Sequence, residues 1–159
     1  MKITILCVGK LKEKYWKDAI AEYEKRLSRY IKLEILEVAD EKTPDGASET
    51  VEKQIREKEG ERLFRALKED SYVVTLEIAG KKLTSEQFAA KLEQLGIMGE
   101  SHITFIIGGS LGLSDAILAQ ADFRLSFSDM TFPHQLMRVI LAEQIYRGYR
   151  IIHHEPYHK

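Results

Sequence analysis

The chain alternates between two patterns of apolar residues. Short runs rich in β-branched side chains are typical of strands buried on both faces of a sheet, and they predict strands at Lys2–Val8, Leu33–Val38, Tyr72–Ile78, Ile103–Ile107 and Phe123–Leu125. Between them apolar residues recur at helical spacing, which predicts helices at about Glu13–Ser28, Ser48–Leu67, Thr84–Leu95, Ser114–Ala121 and Pro133–Tyr146. This alternation predicts an α/β fold with a parallel sheet and helices on both faces.

Local signals mark where several of these elements end. Asp40–Gly46 is a polar loop punctuated by proline and glycine, and Ala79–Lys82 is predicted to be a turn. Thr84 and Gln87 have the spacing of a capping box. Gly60 lies inside the second predicted helix and is expected to cost it about 1 kcal/mol relative to alanine.

Two unusual loops follow strand ends. The fourth strand stops at Gly108 and Gly109, and a third glycine follows at Gly112. The fifth strand leads into Phe127–Pro133, a loop with two phenylalanines and a methionine. Ligands of parallel sheets bind outside the carboxyl ends of the strands, and glycines let a ligand approach the main chain. The two loops therefore predict a small-molecule cleft, and so an enzyme.

Composition narrows the class of protein. A length of 159 residues with 44% hydrophobic content predicts a single domain spanning 1–159. No apolar run is long enough to cross a membrane. Met1–Gly9 is too short and too β-branched for a signal peptide. The single cysteine, Cys7, falls in the first predicted strand, where we expect it to pack, and it fits a reducing cytoplasm.

Charge is nearly balanced overall but uneven along the chain. The formal net charge is −1, so the overall charge does not indicate a nucleic-acid-binding protein. Nine basic and four acidic residues nevertheless lie between Lys2 and Lys32, and the C-terminal segment is also basic. Solvated helix faces explain most such charges, but two basic regions leave room for a polyanionic partner.

Common catalytic motifs are missing. Only Gly9 follows the first strand, without the Gly-x-Gly-x-x-Gly of dinucleotide sites, and no P-loop or Gly-x-Ser-x-Gly elbow occurs. The tail offers His153, His154, Glu155 and His158, but Pro156 breaks the helix that would hold metal ligands on one face. We therefore predict no metal site.

Four separated motifs resemble those of one family. They are Ile107–Gly112, Leu125–Gln135, Met137–Arg147 and Pro156–Lys159, and the opening Met1–Leu11 with Tyr15 and Trp16 matches as well. In this order they resemble the ribosomal RNA large-subunit methyltransferase H family over essentially the full chain. Those proteins are bacterial SPOUT-class enzymes, and the resemblance implies a trefoil knot in the C-terminal part. It also implies methyl transfer from S-adenosylmethionine to N3 of a pseudouridine in 23S rRNA of the assembled ribosome.

The resemblance implies which residues bind the cofactor. S-adenosylmethionine is expected to contact the residues of the third strand end and of the two loops, namely Leu76, Gly108, Gly109, Phe127, Ser128, Asp129, Met130, Thr131 and Phe132. The glycines would admit the adenosyl group against the backbone, and the apolar side chains would supply walls. Without the resemblance, a plain core position is the preferred interpretation of Leu76 and Phe132.

Three further residues are candidates for the reaction itself. His158 carries an imidazole and is a candidate to take the imide proton or to orient the base. Tyr157 is a candidate for stacking on the base or hydrogen bonding to it, and Arg138 for holding a phosphate or a uracil carbonyl. A disordered tail for His158 and an interface salt bridge for Arg138 are the competing interpretations.

The resemblance also implies partners. The family acts as a homodimer in which the tail of one subunit helps to complete the site of the other, and large-subunit rRNA in the ribosome is its substrate. Neither a membrane nor DNA is an expected partner. Lys10, Lys12, Arg147, Arg150 and Lys159 are candidate phosphate contacts. A non-catalytic ribosome-binding protein and a methyltransferase for another RNA, such as tRNA, remain alternative interpretations.

Overall fold

The computed structural model describes all 159 residues, and it has five strands and five helices in alternation. The strands are β1 (Lys2–Val8), β2 (Lys32–Val38), β3 (Tyr72–Lys82), β4 (His102–Ile107) and β5 (Phe123–Ser126). The helices are α1 (Lys14–Leu27), α2 (Glu49–Ala66), α3 (Ser85–Ile97), α4 (Asp115–Leu118) and α5 (His134–Ile152). The α/β fold class predicted from the sequence is confirmed.

The five strands form one parallel sheet in the order β2-β1-β4-β3-β5. Strand β4 therefore lies between β1 and β3, which come earlier in the chain, and the carboxyl ends of all strands lie along one edge. The trefoil knot that the family resemblance implies stays a prediction.

Alternate residues of β1 show how the layers are made, because successive side chains of a strand point to opposite faces. Ile3, Ile5 and Cys7 belong to the larger core, which α1, α3 and α5 cover. Leu6 and Val8 belong to the smaller core on the other face, beneath α2 and α4. Burial raises the pKa of the Cys7 thiol to about 12, so this cysteine is a packing residue, as predicted.

The predicted turn at Ala79–Lys82 is wrong. The segment stays extended, and Lys81 and Lys82 pair with Leu125 and Ser126 of β5 after an irregularity that begins at Leu76. Gly80 permits this pairing because a Cβ there would lie 2.7 Å from the main-chain carbon of Leu125. The glycine signals a close approach of two backbones and not a change of direction.

Helix α5 is longer than predicted, ending at Ile152 instead of near Tyr146. Gly148, which weakens a helix by itself, is buried here, and a Cβ on it would lie 3.0 Å from Leu92 of α3. Packing of α3 against α5 therefore overrides the local preference. No helix of the structure is long and apolar enough to cross a membrane.

Candidate functional site

A cavity of about 460 Å³ opens at the carboxyl ends of β3, β4 and β5. Its volume falls in the usual range for small-molecule sites. Three strand-end segments and the start of α5 form its walls, and they contribute residues within 76–79, 107–113, 125–132 and 134–137. Apolar side chains and bare glycine backbone make up most of this surface, so the cavity suits a ligand with a large planar or apolar part.

Eight of the nine residues predicted to bind the cofactor line this cavity. They are Leu76, Gly108, Gly109, Phe127, Ser128, Met130, Thr131 and Phe132. Asp129 is the exception, because its carboxylate is paired with Lys82 at the surface and the residue does not line the cavity. The sequence therefore predicted where the cavity lies. That these eight residues contact a cofactor stays a prediction.

The glycine loop is folded tightly on itself. A Cβ on Gly108 would lie 2.8 Å from the carbonyl carbon of Gly112, closer than real Cβ atoms approach. Gly112 has a φ of 82°, in the left-handed region that favours glycine, and its amide donates to the carbonyl of Gly109 at 3.1 Å. Main chain therefore makes up much of this part of the cavity wall.

The facing loop is ordered by a serine and carries exposed apolar side chains. Ser128 accepts a hydrogen bond from the Met130 amide at 3.0 Å, and its carbonyl accepts one from the Ser126 hydroxyl at 3.1 Å. The Met130 side chain is nevertheless 74% exposed, and Phe132 is also exposed. A ligand in the cavity would cover part of this apolar surface.

Only two titratable side chains line the cavity, Glu77 and His134, and sequence reasoning singled out neither. Glu77 lies 3.7 Å from Arg124 in an ion pair. His134, at the first position of α5, has a buried Nδ1 without a partner. Burial, and secondarily the charge of Arg138, lower the pKa of His134, so its imidazole is neutral at pH 7. A histidine directly after the Phe127–Pro133 loop was the signal that could have identified it.

The predicted role of Arg138 as a phosphate ligand is wrong for this conformation. The side chain is 0% exposed and lies inside the protein. Its guanidinium donates to the Glu37 carboxylate at 2.6 Å and to the Gly9 carbonyl at 2.6 Å. With those acceptors in place it cannot meet a phosphate at the surface, and it instead ties the start of α5 to the end of β1.

The C-terminal tail is ordered and docked on its own chain. Tyr157 donates to the Glu143 carboxylate at 2.9 Å, and its ring packs edge-on against Tyr146. Burial, followed by the bond to Glu143, raises the pKa of Tyr157 to about 12. Arg150 donates to the Pro156 carbonyl at 2.7 Å and holds the turn that precedes Tyr157. The competing interpretation, in which the tail that carries His158 is disordered, is therefore not supported.

Both ring nitrogens of His158 are engaged in this arrangement. Nδ1 lies 3.0 Å from the Arg147 guanidinium, which can only donate, so Nδ1 is the acceptor. Nε2 lies 2.7 Å from the Glu86 carboxylate and therefore carries the proton. No lone pair is left to take a proton from a substrate, so a docked His158 cannot act as a general base.

The tail and the cavity do not meet within one chain. Every hydrogen-bonding and aromatic partner of Tyr157 and His158 lies outside the cavity wall. The cavity ends at Met137 along α5, whereas His158 contacts Arg147 ten residues later, about 15 Å further along the helix axis. No group of three or more histidine, cysteine, aspartate or glutamate side chains is arranged to hold a metal ion.

Comparison with known proteins agrees with this architecture. A family model described as "Predicted SPOUT methyltransferase" matches residues 1–158. The chain belongs to the SPOUT methyltransferase family. A relative from Bifidobacterium adolescentis named "Ribosomal RNA large subunit methyltransferase H" is 65% identical over 159 residues, covering 100% of both chains. A relative of the same name from Clostridium beijerinckii is 58% identical over the same length and coverage.

A solved structure supports the fold of this SPOUT methyltransferase. It is that of a probable methylase family protein from Haemophilus influenzae, with a TM-score of 0.56. The alignment covers 99% of this chain and 70% of the other at 11% identity, so it bears on fold alone. The resemblance inferred from the four motifs is confirmed by the curated relatives, and the chain is an enzyme of the methyltransferase H group.

Proposed function

We propose that this enzyme transfers a methyl group from S-adenosylmethionine to N3 of a pseudouridine in bacterial 23S rRNA, acting on the assembled ribosome as a homodimer. The printed names of the full-length relatives support rRNA of the large subunit as the substrate class. The family supports S-adenosylmethionine as the methyl donor. The cytoplasm, where ribosomes are found, is the corresponding location.

The observation that carries the proposal is the backbone-walled cavity at the ends of β3, β4 and β5. Gly108 and Gly112 would present main chain to the adenosyl group, and Leu76 and Phe127 would provide apolar walls. Main-chain groups of the loop from Phe127 to Phe132 would read the edge of the adenine. Bound S-adenosylmethionine would supply a methyl group on a positively charged sulfur; as the bond to N3 forms, the bond to sulfur breaks, S-adenosylhomocysteine leaves as a neutral thioether, and the N3 proton is released to water.

The protein's own part in the reaction is to bring the target nitrogen to within about 3 Å of that methyl group and to hold it in line. We assign this positioning to the tail residues Tyr157 and His158, because a docked His158 has no free lone pair for proton abstraction. Tyr157 presents an aromatic ring at the same end of the helix, suited to stacking on a base.

The separation of tail and cavity supports a homodimer. Within one chain the tail stays with Glu143 and Arg147 on the second half of α5, so it does not reach its own cavity. A second copy would bring its tail to the cavity of the first and so complete the site. The outer side of α5 carries Leu136, Ile140 and Ile151, which are incompletely buried in the single chain and suit such an interface.

Electrostatic contacts to rRNA are expected from fewer residues than the sequence indicated. Arg147 and Arg150 are paired with Glu143 and Glu155 at 2.6 and 2.5 Å, so their charges are largely compensated. Lys10, Lys12 and Lys159 are exposed and make no ion pair. Ribosome binding should therefore weaken with salt, and each of these lysines should contribute about one phosphate contact to the slope.

The test is transfer of a labelled methyl group from S-adenosylmethionine to ribosomes that lack the modification, with free rRNA and tRNA alongside. Label in a pseudouridine of large-subunit rRNA is the expected result. Label in tRNA alone would refute the substrate, and ribosome binding without cofactor binding would favour a non-catalytic ribosome-binding protein.

Two alanine variants test the cavity as the cofactor site. Gly108→Ala places its Cβ against the backbone of Gly112, so the loop must shift, and we expect cofactor affinity measured by calorimetry to fall at least ten-fold. Gly96→Ala is the matched control, because the nearest atom to its Cβ is a methionine methyl at 3.7 Å. Equal affinities for the two variants would place the cofactor elsewhere.

A further inference from the structure

The segment from Lys10 to Lys17, between β1 and the second turn of α1, combines basic charge with an exposed aromatic ring. The Tyr15 side chain is 64% exposed, and Trp16 supports it edge-on with ring centroids 5.0 Å apart. Lys10, Lys12 and Lys17 are exposed and their side chains have no partner in the protein. A tyrosine this exposed gains little by folding alone, so its position calls for another explanation.

We propose that the Lys10–Lys17 segment is a docking surface for single-stranded RNA, on which an unpaired base stacks against Tyr15 while the lysines contact the flanking phosphates. The inference rests on the proposed function and names the surface through which the RNA is held. Proteins that hold unpaired strands commonly combine a stacking ring with cations that follow the backbone. Single-stranded RNA is favoured over a duplex because stacking needs a base that is free of its own pair.

The charge of the segment is not cancelled by its neighbours. Within it only Glu13 is acidic, and Lys14 is paired with Asp18 at 2.7 Å. Two acidic side chains at the adjoining strand end are paired elsewhere, and only the exposed Asp40 there makes no ion pair. Glu37 is paired with the buried Arg138, and Glu41 with Arg62 at 2.5 Å. A net positive surface therefore remains beside Tyr15 and complements an RNA backbone.

The segment lies at the same edge of the sheet as the cofactor cavity and is firmly attached to it. It begins directly after β1, which pairs with β4, the strand that ends in the glycine loop. The Glu37 carboxylate accepts from the Leu11 amide at 2.9 Å, and Arg138 of α5 binds the same carboxylate. A Cβ on Gly9 would lie 3.3 Å from the His134 ring, which lines the cavity. RNA held on this segment would thus have a fixed position relative to the cofactor.

The first experiment compares Tyr15→Ala and Tyr15→Phe with the wild-type enzyme in binding to unmodified ribosomes. We expect Tyr15→Ala to lower affinity about ten-fold or more, in line with the loss of one base–aromatic stack. Tyr15→Phe should bind like the wild type, because stacking uses the ring and not the hydroxyl. Phe64→Ala on α2 is the control, since this ring is 56% exposed on the opposite face of the sheet.

Cofactor affinity and oligomeric state are measured on the same variants. S-adenosylmethionine binding should be unchanged in Tyr15→Ala, and sedimentation should give the wild-type mass. A Tyr15→Ala variant that dissociates into smaller species would overturn the inference in favour of a contact between two copies of the chain. Unchanged ribosome affinity in Tyr15→Ala, with an active wild type, would overturn the inference alone.

The lysines provide an independent measurement. Replacing Lys10, Lys12 or Lys17 by glutamine should each reduce the slope of log affinity against log salt by about 0.7 to 0.9. Slopes that stay at the wild-type value would contradict phosphate contact. A wild-type enzyme that methylates no RNA at all would overturn the proposed function and this inference together.

Discussion

Replacing the buried Arg138 by methionine should destabilise the protein far more than removing an exposed arginine. Arg138 is 0% exposed, and its guanidinium binds Glu37 and the Gly9 carbonyl, both at 2.6 Å. Methionine has a similar length but no donors. The substitution therefore leaves a carboxylate without its counter-charge and a carbonyl at the end of β1 without its partner.

The magnitude follows from what each acceptor loses. Removing one partner of a buried ion pair typically costs 3–5 kcal/mol. The Glu37 side chain is 31% exposed, so water can partly hydrate it after the change, and the lower end of that range applies. We expect a loss of about 3 kcal/mol, which for a domain of this size corresponds to a fall in melting temperature of roughly 6–12 °C.

An exposed pair in the same protein provides the control. Arg26 binds Glu22 one helical turn away at 2.9 Å, but both side chains are in contact with water. Exposed pairs of this kind contribute little to stability, so Arg26→Met should leave the denaturation midpoint nearly unchanged. The two substitutions are chemically identical, and the sites differ chiefly in burial, although the Arg26 guanidinium also lies 5.6 Å from the ring centroids of Tyr23 and Tyr146.

Urea denaturation of both variants, followed by circular dichroism, measures the difference. A double-mutant cycle with Glu37→Leu then isolates the pair, and we expect a coupling above 1 kcal/mol between positions 37 and 138. An Arg138→Met variant as stable as the wild type would refute the reasoning. It would mean that the cost of burying the guanidinium equals the value of its bonds, as in some buried ion clusters.

Three further predictions concern stability. Gly60→Ala should destabilise by about 1–3 kcal/mol in urea, because its Cβ would collide with the hydroxyl of Ser114, the N-cap of α4, whereas Gly96→Ala should stabilise by up to about 1 kcal/mol. Thr84→Ala removes the hydroxyl that accepts from the Gln87 amide in the capping box at the start of α3, while the bond from the Thr84 amide to the Gln87 side chain remains, and it should cost about 1 kcal/mol; an unchanged midpoint would contradict this. Burial and, to a smaller extent, the charge of Lys2 lower the pKa of His102. The imidazole therefore binds a proton more readily in the unfolded chain than in the folded protein. Stability should therefore fall as pH drops below about 6.5, and less steeply in His102→Gln; identical pH profiles would contradict this sign.

The elements and the location of the cavity could be predicted because both depend on local patterns. Buried parallel strands read as continuous apolar runs, and glycines after β4 mark a place where backbone approaches backbone. Gly80 shows the limit of such signals. The same residue type marks a turn or a close approach, and only the position of Leu125 on the neighbouring strand distinguishes them.

The role of Arg138 was mispredicted for a related reason. Its spacing to Leu141 and Ile145 places it on the buried side of α5, so the periodicity did indicate an interior position. Its acceptors, however, are Gly9 and Glu37, which lie more than a hundred residues earlier in the chain. No local pattern reports a partner at that distance, and an arginine with no visible partner looks like a ligand for phosphate.

The ion pair of Arg138 and Glu37 also links stability to the proposed RNA surface. The Glu37 carboxylate on β2 accepts hydrogen bonds from both the Leu11 amide and Arg138. This one carboxylate therefore connects the Lys10–Lys17 segment to α5, the start of which lines the cavity. Loss of Arg138 should therefore weaken ribosome binding as well as lower the free energy of unfolding. Loss of the Tyr15 ring should weaken ribosome binding alone, since that side chain is mostly in solvent. If the anchor did not position the segment, a folded Arg138→Met enzyme would keep its wild-type affinity for ribosomes at temperatures well below its melting point.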